Sequence, residues 1–241
     1  MPRSIPSRPA PLALSLSLFA SFSAPALAAD PVEQQMVVIG SRAPTSISEL
    51  PGTVWVIERE QLDQQTQAGV PLKEALGQLI PGLDIGSQGR TNNGQNLRGR
   101  SVLVMIDGVS LNSSRGISRQ FDSIDPFNIE RIEVMSGASA VYGGGATGGI
   151  ISITTRPAGG ENRAETRLSA TSPLTRLGSD GLGGQFQQYF AGSLGALDYS
   201  FDFGTRHVGA SYDAHGDRIA PEPSQGDLFD SNVYNIYIGL R

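Results

Sequence analysis

The sequence predicts an α+β domain followed by antiparallel strands of a transmembrane β-barrel. From Thr53 to about Pro157, apolar β-branched runs are mixed with helical patterns, and after about Arg163 apolar and polar residues alternate. Such alternation, with short turns on one side and long connections on the other, is typical of outer-membrane barrels. A soluble β-sandwich is the alternative for the second half, because alternation in a single strand is a weak signal.

The composition narrows the possible functions. The 241 residues include no cysteine and only two histidines, and the net charge is −5 with an isoelectric point of about 5.0. The absence of cysteine excludes disulfide frameworks, zinc ribbons, iron–sulfur clusters and thiol nucleophiles. An acidic chain also disfavours a nucleic-acid surface. Since no catalytic motif is recognisable either, we expect neither an enzyme nor a nucleic-acid-binding protein.

Residues 1–28 are predicted to be a secretory signal peptide. Arg3 and Arg8 precede an apolar run over residues 12–20, and Ala26-Leu27-Ala28 ends the segment. A charged start, a short apolar middle and an A-x-A end are the three parts of such a peptide. A transmembrane anchor is the alternative, but the run is shorter than the ~20 residues that a bilayer requires. We therefore expect export through the periplasm.

Residues 29–52 are predicted to be a polar and mobile leader, with one short apolar run at Met36–Ile39. Residues 53–157 are predicted to be the α+β domain. Its second helix begins at Pro71 and ends before Pro81-Gly82, because proline favours the first helical turn and a Pro-Gly pair ends a helix. The apolar residues of that helix have helical spacing, at Leu72, Ala75, Leu76, Leu79 and Ile80. The other predicted elements are a strand at Val54–Ile57, a polar helix at Glu58–Gln65, a hairpin of Val102–Ile106 and Val109–Leu111 about Asp107-Gly108, and strands at Ile132–Val134 and Ile150–Thr155.

Residues 158–241 are predicted to be the first strands of the barrel. Leu197–Phe203 alternates strictly, with its apolar residues on one face and its polar residues on the other. Gly195-Ala196 is predicted to be a tight turn, and residues 205–232 a long polar loop. The further strands are predicted at Thr166–Thr171, Phe186–Leu194 and Tyr234–Leu240.

Two motifs point to chemistry that their context does not support. Gly143–Gly148 has the spacing G-x-G-x-x-G of a dinucleotide-binding segment, but the next residues predict a β-strand instead of the required helix. His207 and His215 lie in the predicted polar loop, and no metal-ligand spacing matches theirs. We interpret both histidines as solvated.

Arginine is concentrated between Gly86 and Gln120. This segment of 35 residues contains five arginines and one acidic residue, Asp107. Guanidinium groups suit the binding of carboxylates, so the segment is a candidate site for an anionic ligand. The alternative is ion pairing with acidic residues of an enclosing wall, which we expect more for Arg98 and Arg100 than for Arg90, Arg115 and Arg119.

Several segments resemble motifs of the TonB-dependent outer-membrane receptors. Glu33–Arg42 is similar to the region of the TonB box, the segment that TonB grips. The motifs similar to those of the family's plug domain are Leu72–Asp84, Asn96–Gly99, Val104–Gly108, Ile129–Val134 and Gly137–Gly149. Within the family, Arg90–Arg100, Ser113–Arg115 and Asp122–Phe127 are most similar to the ferric aerobactin receptors.

The resemblance implies a plug inside a 22-stranded barrel that imports a ferric siderophore, of a hydroxamate-citrate type such as aerobactin. It implies no cofactor. The implied partners are outer-membrane lipid and the C-terminal domain of TonB, energised by ExbB and ExbD, which would bind the box as an added strand. Residues 158–241 hold about four strands of ~10 residues, so we expect a fragment or a truncated product.

The resemblance also implies three groups of functional residues, with no catalytic residue and no metal ligand. The TonB box comprises Gln35, Met36, Val37, Val38 and Ile39. The ligand-binding residues are Arg90, Asn93, Gln95, Arg115 and Arg119. The plug–barrel contacts are Arg98, Arg100, Glu130 and Glu133. The alternatives are a receptor of the same fold for cobalamin, haem or a glycan, and a secreted periplasmic nucleotide-binding enzyme.

Overall fold

The structure, a computed structural model, describes residues 36–37, 39, 45–50, 52–67, 69–86, 95–112, 124–220 and 229–240. The predicted signal peptide lies outside the described residues. The strands and helices, in chain order, are β1 (Met36–Val37), β2 (Thr45–Ser46), β3 (Val54–Glu58), α1 (Arg59–Thr66), α2 (Leu72–Leu79), β4 (Leu83–Asp84), β5 (Asn96–Leu97), β6 (Arg100–Ile106), β7 (Val109–Ser110), β8 (Ile129–Ser136), β9 (Gly149–Thr155), β10 (Arg163–Thr171), β11 (Gly183–Leu194), β12 (Leu197–Val208) and β13 (Phe229–Leu240).

The first sheet, here called the mixed sheet, has the order β3-β8-β9-β6-β5-β4, with β7 paired to β6. Strands β6 and β9 run parallel, whereas β8 and β9 are antiparallel. Ile132, Val134, Ile151 and Ile153 from the two central strands β8 and β9 are buried in one core cluster. Because β-branched residues pack well on a pleated surface, these runs form the centre of the sheet.

Helix α2 packs on this core, as its periodicity predicts. Leu72, Leu76 and Ile80 are all buried in the same cluster as the central strands. Helix α1 begins one residue later than predicted, at Arg59. Glu58 is its N-cap, and the Glu58 and Gln61 side chains form a reciprocal capping box. The capping residue is extended, so it belongs to β3 and not to the helix.

The second sheet, here called the four-stranded sheet, is antiparallel and has the order β10-β11-β12-β13. Gly195-Ala196 is the tight turn between β11 and β12, as predicted. The predicted loop 205–232 is wrong at both ends, because β12 continues to Val208 and β13 begins at Phe229. His207 therefore lies in a strand, with Nδ1 2.6 Å from Asp230 Oδ1. Backbone pairing with β13 extends β12 into a segment that is polar in sequence.

The two faces of the four-stranded sheet differ in chemistry, as the alternation predicts. On one face, aromatic rings from neighbouring strands contact each other, with centroids 6.1 Å apart for Phe186 and Phe203 and 5.1 Å apart for Phe203 and Tyr234. On the other face, Gln187 and Asp202 are buried. Cross-strand aromatic pairs stabilise neighbouring strands. The aromatic face is apolar and exposed.

Among the described residues, no helix is long and apolar enough to span a membrane.

Candidate functional site

The apolar run at Met36–Ile39 is docked against the mixed sheet at its last residue. Met36 pairs with Ser46 and Val37 with Thr45, whereas Gln35 and Val38 lie outside the described residues. Ile39 is only 1% exposed. This end of the predicted leader is therefore packed against the mixed sheet.

A buried carboxylate holds Ile39 in place. The Ile39 N–H donates to Glu133 Oε2 at 2.9 Å, and Arg131 Nη2 lies 2.7 Å from Glu133 Oε1. Glu133 is 2% exposed. A hydrogen bond to a charged group contributes about 1.5–3 kcal/mol. The side chain of Ile39 packs in a second apolar cluster with Leu103, Met105, Met135, Ala146 and Ile150.

Gln95 is the one predicted ligand-binding residue within the described residues, since Arg90, Asn93, Arg115 and Arg119 lie outside them. Gln95 is 5% exposed, and its φ angle is +48°. Among the described residues, neither Oε1 nor Nε2 of its side chain has a hydrogen-bond partner. Leaving a buried amide unpaired costs about 1–3 kcal/mol. Gln95 thus combines a left-handed backbone with an unpaired buried amide.

The four predicted plug–barrel residues occupy different environments. Arg98 and Arg100 are exposed, and Arg98 adopts a φ of +53° at the turn between β5 and β6. Glu130 is half-buried. The two contacts of Glu133 given above are to Ile39 and to Arg131 of its own strand β8, and not to the four-stranded sheet.

The two sheets are joined by charged residues that the sequence did not single out, here called the arginine cluster: Arg59, Asp63, Arg156, Glu165 and Arg167. Arg59 Nη2 lies 3.1 Å from Glu165 Oε2, and Arg167 Nη2 lies 2.6 Å from Asp63 Oδ1. Arg156 also pairs with Glu165. The one indication in the sequence is that Glu165 and Arg167 are alternate residues of β10, and alternate residues of a strand lie on one face. Nothing in that spacing identifies their partners.

Aromatic rings complete this contact. The guanidinium carbon of Arg156 lies 3.6 Å from the centroid of the Tyr189 ring, and that of Arg167 lies 4.9 Å from the centroid of Phe127. Phe127 and Tyr189 are buried together with Ala191. A guanidinium group over a desolvated ring gains about 2 kcal/mol. The rings therefore offset part of the cost of burying Arg156.

A second contact between the sheets is made by Asp125. Its Oδ1 accepts from the Phe127 N–H at 3.0 Å, which caps the 3₁₀ turn Pro126–Asn128. The same oxygen accepts from Gln187 Nε2 on β11. A Cβ built on Gly204 of β12 would lie 2.6 Å from Asp125 Oδ2. Burial raises the pKa of Asp125 above its ordinary value of 3.8, although these hydrogen bonds and the nearby Arg167 and Arg206 act in the opposite direction.

The described residues do not support metal or dinucleotide chemistry. They contain no group of three or more His, Asp or Glu side chains placed to hold a metal ion. The Gly-rich segment Gly143–Gly148 leads directly into strand β9. A dinucleotide fingerprint requires a helix at that point, so this motif lacks the dipole that binds a pyrophosphate.

Comparison with known families identifies the segment that forms the mixed sheet. Residues 46–150 match the family described as TonB-dependent Receptor Plug Domain. The chain belongs to the TonB-dependent receptors. The mixed sheet with α1 and α2 is therefore called the plug below, and β10–β13 are called the wall strands.

Relatives of known name agree with this assignment. The chain is 55% identical over 139 residues to a ferric aerobactin receptor of Klebsiella pneumoniae, covering 58% of this chain and 19% of that protein. It is 40% identical over 226 residues to the ferric aerobactin receptor of Escherichia coli, covering 91% of this chain and 30% of that protein. The chain thus spans less than a third of the length of either relative.

The fold agrees as well. The structure aligns with the siderophore receptor PirA from Acinetobacter baumannii with a TM-score of 0.55 at 23% identity, over 69% of this chain and 26% of that chain. At this level of identity the likeness concerns the fold alone. It supports a plug followed by strands of a β-barrel.

Proposed function

We propose that this chain is part of an outer-membrane receptor that binds a ferric siderophore and imports it with energy from TonB. The observation that carries the proposal is the 55% identity to a ferric aerobactin receptor over 139 residues. A siderophore of the hydroxamate-citrate type, such as aerobactin, is the proposed ligand. The proposed whole protein is a 22-stranded barrel with the plug inside, and it needs no cofactor and performs no catalysis.

The wall strands support a location in the outer membrane. Ile236, Ile238 and Leu240 alternate along β13 and are each more than two-thirds exposed. In an outer-membrane barrel the outward positions of each strand face lipid, while the inward positions are polar. The inward positions here include Gln187 and Asp202, which are buried. The proposed domain limits are those predicted from the sequence: a signal peptide at 1–28, a TonB-box leader at 29–52, the plug at 53–157 and barrel strands at 158–241.

Energy coupling is proposed to act through the box at residues 35–39. TonB, driven by ExbB and ExbD, would add the box to its C-terminal domain as an extra β-strand. In the structure, part of the box pairs with β2, and Ile39 is fixed by Glu133. If TonB adds to the edge of the box that carries these contacts, the contacts have to open first.

Ligand binding is proposed for Arg90, Asn93, Gln95, Arg115 and Arg119. Ferric hydroxamate-citrate chelates are anionic, so they require cationic and hydrogen-bonding partners. The buried amide of Gln95 has no hydrogen-bond partner within the described part of the chain, and it could bond to a ligand. Each charge-assisted contact contributes about 1.5–3 kcal/mol, so loss of one arginine is expected to weaken binding by about ten- to a hundredfold.

The test is a binding titration of a full-length receptor that carries this chain. Ferric aerobactin, a ferric catecholate and cobalamin are titrated against the wild type and against the Arg90→Ala, Arg115→Ala and Arg98→Ala variants. We expect selective binding of aerobactin, weakened by the first two substitutions and unchanged in the Arg98 control. Preference of the wild type for cobalamin, or full affinity in both Arg90→Ala and Arg115→Ala, would refute the proposed ligand.

A further inference from the structure

The segment Gly137–Gly148, here called the glycine loop, joins the antiparallel strands β8 and β9 and contains the motif G-x-G-x-x-G. This motif has no part in the proposed function. Neighbouring antiparallel strands are usually joined by about two to five residues, so the glycine loop is longer than the connection requires.

The base of the glycine loop is fixed to the mixed sheet. The Gly137 N–H donates to the Gly148 carbonyl at 2.9 Å, and the Gly148 N–H donates to the Ser101 carbonyl of β6 at 2.7 Å. A Cβ at Gly148 would lie 2.6 Å from the Arg100 carbonyl oxygen. The base therefore packs backbone against backbone on β6 and leaves no space for a side chain.

The tip of the glycine loop has space around it. A Cβ at Gly143 or at Gly144 would meet no atom within 4 Å in the described part of the chain. The Gly143 N–H donates to the Ala140 carbonyl at 3.1 Å, which closes a turn. The φ angle of Gly143 is +96°, a conformation that favours glycine. The tip therefore depends on a glycine conformation, whereas the base depends on packing.

The glycine loop also contacts the apolar cluster that buries Ile39. Ala146 is 4% exposed and belongs to this cluster, and Tyr142 packs against it from the tip. Tyr142 directly precedes Gly143, so the position of its ring depends on the turn that Gly143 closes.

The other members of the cluster lie in the mixed sheet. Of the five described residues that form the cluster with Ile39, four belong to hydrogen-bonded strands, namely Leu103, Met105, Met135 and Ile150. The fifth, Ala146, belongs to the glycine loop. Ile39 is 1% exposed, and a close-packed side chain leaves its site only if a neighbour moves. The loop can move without breaking the strand pairs.

Building on the proposed function, we propose that the glycine loop is a clamp on the TonB box. Its closed tip keeps Ile39 in the plug, and opening of the tip frees the box for TonB. Gly143 permits the turn that places Tyr142 on the cluster, while the base stays packed on β6. The clamp acts together with Glu133, which binds the backbone N–H of the same residue.

Two alanine variants at the tip separate the backbone conformation of the clamp from its packing. Gly143→Ala and Gly144→Ala each add a methyl group in open space, but only Gly143 has a left-handed φ angle. That conformation disfavours a residue with a Cβ by a factor of about five to thirty. In the full-length receptor without siderophore, we expect amide hydrogen exchange at Ile39 to accelerate by this factor in Gly143→Ala and to stay unchanged in Gly144→Ala.

A second pair of variants tests the side chain of the clamp. Tyr142→Ala removes the ring that packs against the cluster, so exchange at Ile39 should accelerate by about tenfold, as for the loss of a partly buried apolar contact. Val141→Ala, at the exposed neighbouring position, should leave the exchange unchanged.

Amides of β8 and β9 in the same samples distinguish a clamp from a general loss of stability. We expect their exchange to be the same in all four variants as in the wild type. Equal acceleration at Ile39 and in these strands would overturn the clamp. Equal exchange at Ile39 in Gly143→Ala and Gly144→Ala would overturn it as well.

Binding of the C-terminal domain of TonB measures the consequence for coupling. Without siderophore, Gly143→Ala should bind this domain about five- to thirtyfold more tightly than Gly144→Ala, because its box is free in a larger fraction of molecules. Equal affinities would overturn the assignment of the clamp to the box. A wild type that does not bind TonB even with siderophore would instead refute the proposed energy coupling, and exchange at Ile39 tests the clamp independently of TonB.

Discussion

The carboxyl group of Asp125 on the plug occupies the space that a side chain on Gly204 of β12 would fill, with Oδ2 2.6 Å from the ideal Cβ position. Gly204→Ala is therefore expected to displace Asp125 and to break its hydrogen bond to Gln187. Overpacking of this kind costs about 1–3 kcal/mol. Thermal unfolding in detergent measures the loss. Gly144→Ala is the control, because a Cβ there meets nothing within 4 Å, and equal unfolding temperatures for both variants would contradict the expected role.

The titration of Asp125 predicts a dependence of stability on pH. Because burial raises its pKa in the folded state above 3.8, the folded protein binds more protons than the unfolded chain as the pH rises from that value. The contribution of Asp125 to stability therefore falls with rising pH until the folded pKa is passed. Asp125→Asn removes this loss. We expect the variant to gain stability relative to the wild type at pH 7, with a gain that shrinks towards pH 4.

Unfolding free energies of the wild type and of Asp125→Asn, measured over that pH range, test this expectation. Titrating groups that do not interact with Asp125 cancel in the difference between the two proteins. A difference that does not change with pH would show that Asp125 has the same pKa in the folded and unfolded states.

Glu133 is expected to control the release of Ile39. Glu133→Ala removes the acceptor of the Ile39 N–H, which is a buried bond of 2.9 Å. Amide hydrogen exchange at Ile39 should accelerate by about ten- to a hundredfold, as follows from the loss of about 1.5–3 kcal/mol. Glu130→Ala, on the same strand, serves as the control. Exchange at Ile39 that is unaffected by Glu133→Ala would mean that packing alone holds the leader.

Val37→Pro tests the coupling to TonB. Proline removes the N–H of Val37 and fixes its φ angle, so it prevents strand addition at this position. In the full-length receptor we expect uptake of the ferric siderophore to be abolished while binding at the cell surface remains intact. Uptake at the level of the wild type would refute the assignment of the box.

Arg156 is expected to stabilise the attachment of the plug. Its side chain is buried, pairs with Glu165 and lies over Tyr189. Arg156→Ala removes the contact with the Tyr189 ring and one of the two ion pairs of Glu165, which keeps Arg59, and should cost about 2 kcal/mol of unfolding free energy. Arg156→Lys should recover only part of this, because an ammonium group cannot stack as a planar guanidinium does. Arg163→Lys is the matched control, since Arg163 is exposed and 5.7 Å from the same ring centroid. Equal losses at both positions would contradict a specific role for Arg156.

Much of the fold could be predicted from short stretches of sequence. The apolar spacing of α2, the hairpin about Asp107-Gly108 and the alternation of β12 all appear in the structure. Each depends on residues that are close in the chain, because strand and helix periodicities place residues two, three or four positions apart on a common face. The start of α1 and the end of β12 were displaced, since a cap and a strand partner decide where those elements end.

The sequence by itself determined the two fold classes, the apolar outward face of the wall strands and the motifs that identify the family. Only the tertiary structure decided which polar groups meet. Ile39 and Glu133 are 94 positions apart, and Asp125 and Gln187 are 62 apart. Glu133 contacts Ile39 and Arg131, and Arg156 and Glu165 join plug and wall without any motif. Local periodicity states which face a side chain occupies, but the packing of one sheet on another selects its partner.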